Sequence, residues 1–420
     1  MISPMRVLVL CQYYRPEPIF KAVELAEELK RRGHSVSVIT GFPHYPQGTL
    51  YDGYHARLLT KEIIEGIPVT RTYEYAYHGP SALRRIINYF SFALSAPLGL
   101  LTTSKCDVMY VRHPPLTIGI AAWIISRLWR IPYVYDVEDI WPESAIVSGV
   151  MKEGRIVKLM FALEKFVYKR ANRIIVVTAD AKANLVHKGV APEKVVPMPK
   201  WVDDSLFTEV GDSVREDVRR RYGWSNRFVV MFAGNIGYVQ HLETVVDAVA
   251  LLPADTNICV AFIGDGSDRE RLEQIVHSKG LAGRAEFLGR QPQEVMGPLM
   301  AGADALLVHL KDSELANYVI PAKTLAYLAA GKPIIMAMAG ASSDLVRAAD
   351  AGVVLPSENA FLMAEAMLQI ERSDPAALHA MGVRGREHLK KLFTKTAIID
   401  GYEQMLHDLI GSPPTGAAIP

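Results

Sequence analysis

A cation in the first turn of a helix is an electrostatic misfit, and Lys323 sits there. The run is Val319-Ile-Pro-Ala-Lys323-Thr-Leu-Ala-Tyr-Leu-Ala-Ala-Gly-Lys-Pro333, in which Pro321 can open a helix and Gly331 can end it. The amino end of a helix carries partial positive charge, so a lysine there calls for an anion. A diphosphate would supply one; a solvated surface lysine is the plainer alternative. Two glycine turns offer related chemistry. Phe232-Ala-Gly-Asn-Ile-Gly237 follows an apolar run and precedes a helix expected from Leu242. There Gly234, Asn235 and Gly237 would let backbone approach an anion at a helix start. Ile263-Gly264-Asp265-Gly266 is a second glycine-rich turn at a strand end, before a helix expected at Arg269. Neither has the G-x-G-x-x-G spacing of a dinucleotide site, and no acidic residue closes the next strand as a ribose ligand. Tight turns require such glycines too, so a purely structural role stays open.

The elements that would hold these residues alternate between strand and helix. In the first half, Arg6–Cys11, His34–Thr40, Asp107–Val111, Tyr133–Tyr135 and Arg173–Val177 read as strands. Helices are expected at Lys21–Arg32, Thr117–Trp129 and Ile156–Arg170. The second half repeats the alternation from Phe228 to a last strand at Gly352–Leu355. Such alternation predicts two doubly wound, mainly parallel α/β domains with ligands at the carboxyl ends of the strands. We place a Rossmann-like domain over 1–200 and a second over 223–396. A terminal helix near 397–411 is expected to pack back on the first domain, with a mobile tail at 412–420. Pro197–Tyr222 would be the hinge.

The 420 residues are half hydrophobic and 22% charged, the balance of a folded chain. Lysine plus arginine (46) cancels aspartate plus glutamate (45), which gives no reason to expect a nucleic-acid partner. Cys11, Cys106 and Cys259 lie far apart in apolar runs and read as buried thiols of a reducing compartment. No signal peptide or clean apolar stretch of about 20 residues is visible. A cytoplasmic location is therefore expected, at the inner face of the cell membrane if Ile86–Leu101 touches lipid.

Across nearly its whole length the chain resembles retaining glycosyltransferase family 4, in the branch that builds bacterial surface polysaccharides and O-antigens. The resemblance is carried by QYYRPEP, by the GFPHYPQG loop, by IPYVYDVEDIWPES (Ile131–Ser144) and by VVPMPKWVDDSLF. FAGNIG, FIGDG, FLGR and PAKTLAYLAAGKP then follow in the family's order. What it implies is a GT-B fold with an interdomain cleft, a nucleotide-sugar donor, probed first as a UDP-sugar, in the second domain, and no metal or other cofactor. No D-x-D pair of the metal-holding kind is present. Leaving-group charge would then fall to Gly234, Asn235, Gly237 and Lys323, helped by Arg290, with Gly264, Asp265 and Gly266 beside them. The chain also departs from the pattern. Two glutamates common in the donor segment are Tyr318 and Ala326 here, and the asparagine before W-V-D is Lys200.

On the acceptor side the resemblance points to the acids Asp136, Glu138, Asp139 and Glu143. Asp139 and Glu143 are the residues expected to bind or deprotonate an acceptor hydroxyl, although helix capping accounts for such acids as well. His113, beside two prolines, would touch the sugar or the acceptor, or be structural. Retaining transfer in this family is a front-face displacement that needs no enzyme nucleophile. Ile86–Leu101, flanked by Arg84, Arg85 and Lys105, fits a membrane contact reaching a polyprenyl-diphosphate-linked glycan acceptor, or equally a core helix. The rival readings are a nucleotide-sugar 2-epimerase of the same fold and a non-catalytic sugar-nucleotide-binding subunit.

Overall fold

The computed structural model describes residues 2–79, 81–147, 154–202 and 210–411. It divides into two compact units, Met1–Lys200 with Thr396–Pro420, and Trp201–Lys395.

The first unit is built on eight strands: β1 Arg6–Leu10, β2 Ser35–Thr40, β3 Leu59–Ile64, β4 Ile67–Thr72, β5 Val108–Arg112, β6 Tyr133–Val137, β7 Arg173–Val176 and β8 Val195–Pro197. Their order is β3-β4-β2-β1-β5-β6-β7-β8, so the winding reverses between β1 and β5. All pairs are parallel except β3 with β4. Every residue of β5 and β6 is buried, as expected where helices cover both faces of a parallel sheet. The β3–β4 hairpin was not visible in the sequence. It turns on Glu65 and Gly66, both at positive φ.

The terminal helix Lys395–Leu409 buries Ile398, Ile399, Tyr402, Leu406 and Leu409. From Thr396 onward it belongs to the first unit. The Tyr402 hydroxyl donates to Asp136 at 3.1 Å, and Arg32 pairs with Asp400 and Glu403. The tail at 412–420 lies outside the described residues.

The second unit holds β9 Phe228–Ala233, β10 Ile258–Ile263, β11 Ala285–Gly289, β12 Ala305–His309, β13 Ile334–Ala337 and β14 Gly352–Leu355. All are parallel, in the order β11-β10-β9-β12-β13-β14. The winding reverses between β9 and β12, which makes the carboxyl end of β9 the switch point where a ligand fits. The unit also begins earlier than the 223 expected from sequence. The helix Asp212–Arg221 belongs to it, because Arg219 donates to Asp304, to the Gly302 carbonyl and to the Trp224 and Arg227 carbonyls. Part of the expected hinge, Asp212–Arg221, is thus a helix whose Arg215 and Arg219 face their own domain, and residues 203–209 lie outside the described residues.

Candidate functional site

A cavity of ≈ 1090 Å³ opens at the carboxyl ends of β9 and β10, lined entirely by residues of the second unit. Each strand is followed by a glycine in the left-handed region, Gly234 at φ +140° and Gly264 at +138°. A Cβ on Gly264 would stand 1.8 Å from the Gly234 carbonyl oxygen, so the two turns stack at a spacing that admits only glycine. A Cβ on Gly234 would stand 3.0 Å from Lys323 Nζ. The absence of a side chain there leaves room for the ammonium.

Gly234, Asn235, Gly264, Asp265, Arg290 and Lys323 all line this cavity, whereas Gly237 and Gly266 do not. Gly237 is buried and its amide donates to Gln240 Oε1 at 3.2 Å. Gly266 packs against the Ile236 carbonyl, 2.2 Å from where its Cβ would be. The amides of Gly234 and Gly264 donate to the carbonyls of Ile263 and Gly289, each at 2.9 Å. The structure thus differs from the expectation that the glycine amides cradle an anion. The glycines supply room, and the side chains of Lys323, Asn235 and Arg290 supply donors. A short turn, Tyr238–Gln240, also separates the glycines from the helix Glu243–Leu251.

Lys323 is the second residue of the helix Ala322–Ala330, which ends at Gly331 in the left-handed conformation. Its Nζ is buried and has no hydrogen-bond acceptor among the described residues. The nearest compensation is the Phe232 ring, whose centroid lies 3.8 Å away. Burial alone pushes its pKa down to about 7. An anion entering the cavity would reverse that shift. Beyond Lys323 the helix presents Ala326 and Ala330 to the cavity; Tyr318 and the exposed Glu314 do not reach it.

Arg215, Lys332 and Arg386 also line the cavity, and sequence reasoning missed them. Arg386 donates to the carbonyls of Ala329 and Ala330, and Lys332 to that of Ala301 at 2.8 Å. Burial lowers the Lys332 pKa to about 8. They come from three distant segments, and no local motif marks them.

The acidic cluster of the first unit lies at the carboxyl ends of β5 and β6 and in the turn after β6. Asp136 is buried, and its Oδ2 lies 2.6 Å from Lys21 Nζ and accepts from the Tyr110 hydroxyl at 2.6 Å, while Oδ1 has no hydrogen-bond partner among the described residues. Glu138 accepts from Arg112 at 2.6 Å and lies near Lys21 and Lys200, cations that hold its pKa down at about 2 despite burial. Glu143 pairs with Lys188, which also holds Glu164 at 2.7 Å. Its charge is matched, and the pair ties the helix Glu143–Val147 to the helix Arg155–Arg170. Asp139 stands apart. It is half-buried and has no hydrogen-bond or ion-pair partner among the described residues, and burial beside Glu138 raises its pKa. His113 is buried with neither ring nitrogen paired among those residues, and burial drives its pKa down to about 3, which leaves it neutral. Its amide donates to the Asp136 carbonyl.

Residues 21–201 match the model of a glycosyl transferase 4-like domain, and residues 214–388 that of the glycosyl transferases group 1. The chain is a glycosyltransferase whose second half is a domain of the group 1 type. It is 29% identical over 337 residues to WcaI of Escherichia coli (strain K12), a protein assigned as a glycosyl transferase of colanic acid biosynthesis, covering 78% of this glycosyltransferase and 82% of that one. Identity to the D-inositol 3-phosphate glycosyltransferase of Corynebacterium diphtheriae is 24%, over 92% and 88% of the two chains. Among solved structures, Anabaena HepE in complex with UDP superposes with a TM-score of 0.72 at 18% identity, over 96% of this chain and all of that one. The fold is GT-B, two Rossmann-like α/β domains.

Proposed function

We propose that this glycosyltransferase moves a sugar from a UDP-sugar to a glycan acceptor, with retention of anomeric configuration, in bacterial surface-polysaccharide synthesis. The observation that carries the donor half is the buried, acceptorless ammonium of Lys323 beneath the Gly234–Gly264 turn. A diphosphate is the anion that fits it. Placed there, its two phosphates meet Lys323, Asn235 and Arg290, and the sugar lies toward the strand ends. The nucleoside then runs along the wall of Ala326 and Ala330. Alanine stands where the family's pattern has a carboxylate, and Arg215 and Gln293 are polar residues of the same cavity. The UDP-bound neighbour and the relative assigned to colanic acid support the choice of nucleotide and pathway class.

Lys323 and Arg290 would stabilise the leaving diphosphate electrostatically, in place of a bound metal ion. Asp139 has the free carboxylate needed to orient an acceptor hydroxyl, and Glu143 does not. We assign the acceptor to the polyprenyl-diphosphate-linked class, and His113 to apolar and hydrogen-bonding contact as a neutral imidazole. The test is a screen of UDP-, GDP- and ADP-sugars for donor hydrolysis and transfer, with and without EDTA. Slow release of UDP and free sugar that survives EDTA is expected. Interconversion of the donor sugar, or turnover that stops on chelation, would overturn the reading.

A further inference from the structure

The helix Ala82–Ser95 and the turn Ala96–Leu101 cover the segment that fits either a membrane or a core from sequence alone. The structure buries one face of this segment and leaves the other exposed. Asn88, Phe92 and Ser95 are buried, and Asn88 is locked by Gln12 and the Tyr75 carbonyl. At 3.6 residues per turn, Leu83, Ile87, Phe90 and Leu94 fall within about 60° of one another on the other face. Leu83, Leu94 and Leu101 are 69%, 66% and 80% exposed, and Ile87 is 45%. A row of leucines this exposed is a contact surface awaiting a partner.

Charge decides which partner. Between Glu74 and Asp107 the chain has no carboxylate, and it carries Arg84, Arg85 and Lys105. Arg84 and Lys105 are exposed, as is Arg57 beside Leu58. Arg84 also lies over the Tyr77 ring. A protein partner has no reason to tolerate only cations around an apolar stripe; an anionic headgroup layer over acyl chains matches both parts. The helix is 14 residues, about 21 Å long, too short to cross a bilayer and the right length to lie along one. We propose that this face of the first unit docks the protein flat on an anionic lipid surface. Leucines enter the acyl boundary, and Arg57, Arg84 and Lys105 meet lipid phosphates. Docking is a property of the surface and does not depend on the donor assignment.

Flotation of the full chain with vesicles of phosphatidylcholine, with and without phosphatidylglycerol, tests it. The chain should float with the anionic vesicles, and added salt should weaken the association. Leu83→Glu/Leu94→Glu alters only exposed positions, so melting temperature and UDP binding should hold while vesicle partition falls at least about tenfold. The native cysteines are all buried, so a fluorophore on Leu94→Cys can be placed selectively and should be quenched by brominated acyl chains. No flotation with anionic vesicles, or equal flotation of the double variant, would overturn the proposal. So would a dimer in solution that the double variant dissolves, which would give the face to a second copy.

Discussion

Two buried lysines of this molecule contrast a charge matched inside the protein, the finished side, with a charge left open. Lys21, in the first unit, has Asp136 at 2.6 Å and Glu138 at 3.8 Å. Lys323, in the second, has the Phe232 ring and no carboxylate partner among the described residues. Lys21 opens the helix that follows β1, and Lys323 lies against Phe232 of β9, the two strands beside which the winding reverses. A buried charge that is matched inside the protein holds the fold together, while one left unmatched is held ready for a ligand. The same contrast separates the acids: among the described residues Asp136, Glu138 and Glu143 each have a cation partner, and Asp139 has none.

Breaking the finished side should produce the largest effect. Lys21→Met leaves Asp136 buried with its charge uncompensated, which costs about 3–5 kcal/mol. The expected outcome is a first unit that melts far below the parent in a calorimetric scan. A variant with the parent's melting temperature would mean that Asp136 is neutral, and the comparison would fail. Next comes Asp139→Asn, which keeps the shape of an unpaired acid and removes its charge. Transfer should fall by on the order of a hundredfold, with UDP affinity and melting temperature nearly unchanged. Glu143→Gln, by contrast, loosens an ion pair and should lower transfer by less than about threefold while reducing stability by about 1 kcal/mol. Steady-state kinetics on the two variants checks the ranking, and the reverse order would move the acceptor role to Glu143.

Much of the architecture was legible because parallel strands buried on both faces read as continuous apolar runs. β10, with all six residues buried, appears in the sequence as Ile-Cys-Val-Ala-Phe-Ile. The hairpin β3–β4 escaped because it is half-exposed and turns on Glu-Gly, where Asn-Gly or Asp-Gly is the usual sign of two positive φ angles. β8 is only three residues long. In the site, Lys323 showed itself through a local conflict with the helix dipole. The pairing of Glu143 could not show, since Lys188 lies 45 positions later and only the fold brings them together. For the same reason the alternation that marks Gly234 and Gly264 as turn residues cannot tell whether their amides are already engaged.

The central claim is that Lys323 is the cation of the donor diphosphate, and proton linkage tests it most directly. Free Lys323 titrates near 7 because burial disfavours its charge, so at pH 8 it is mostly neutral. Binding a diphosphate favours the ammonium, and the protein must then take a proton from solution. Calorimetric titration of UDP at pH 8, in two buffers of different ionisation enthalpy, should report uptake of about one proton per UDP bound. Affinity should weaken as pH rises from 7 to 9. In Lys323→Ala the uptake should vanish and the affinity fall roughly 10- to 100-fold, the loss of one charge-assisted hydrogen bond of about 1.5–3 kcal/mol. Removing a buried, unpaired amine should leave the melting temperature equal or higher. UDP binding by Lys323→Ala as tight as the parent's, or parent binding with no proton uptake at pH 8, would contradict the account.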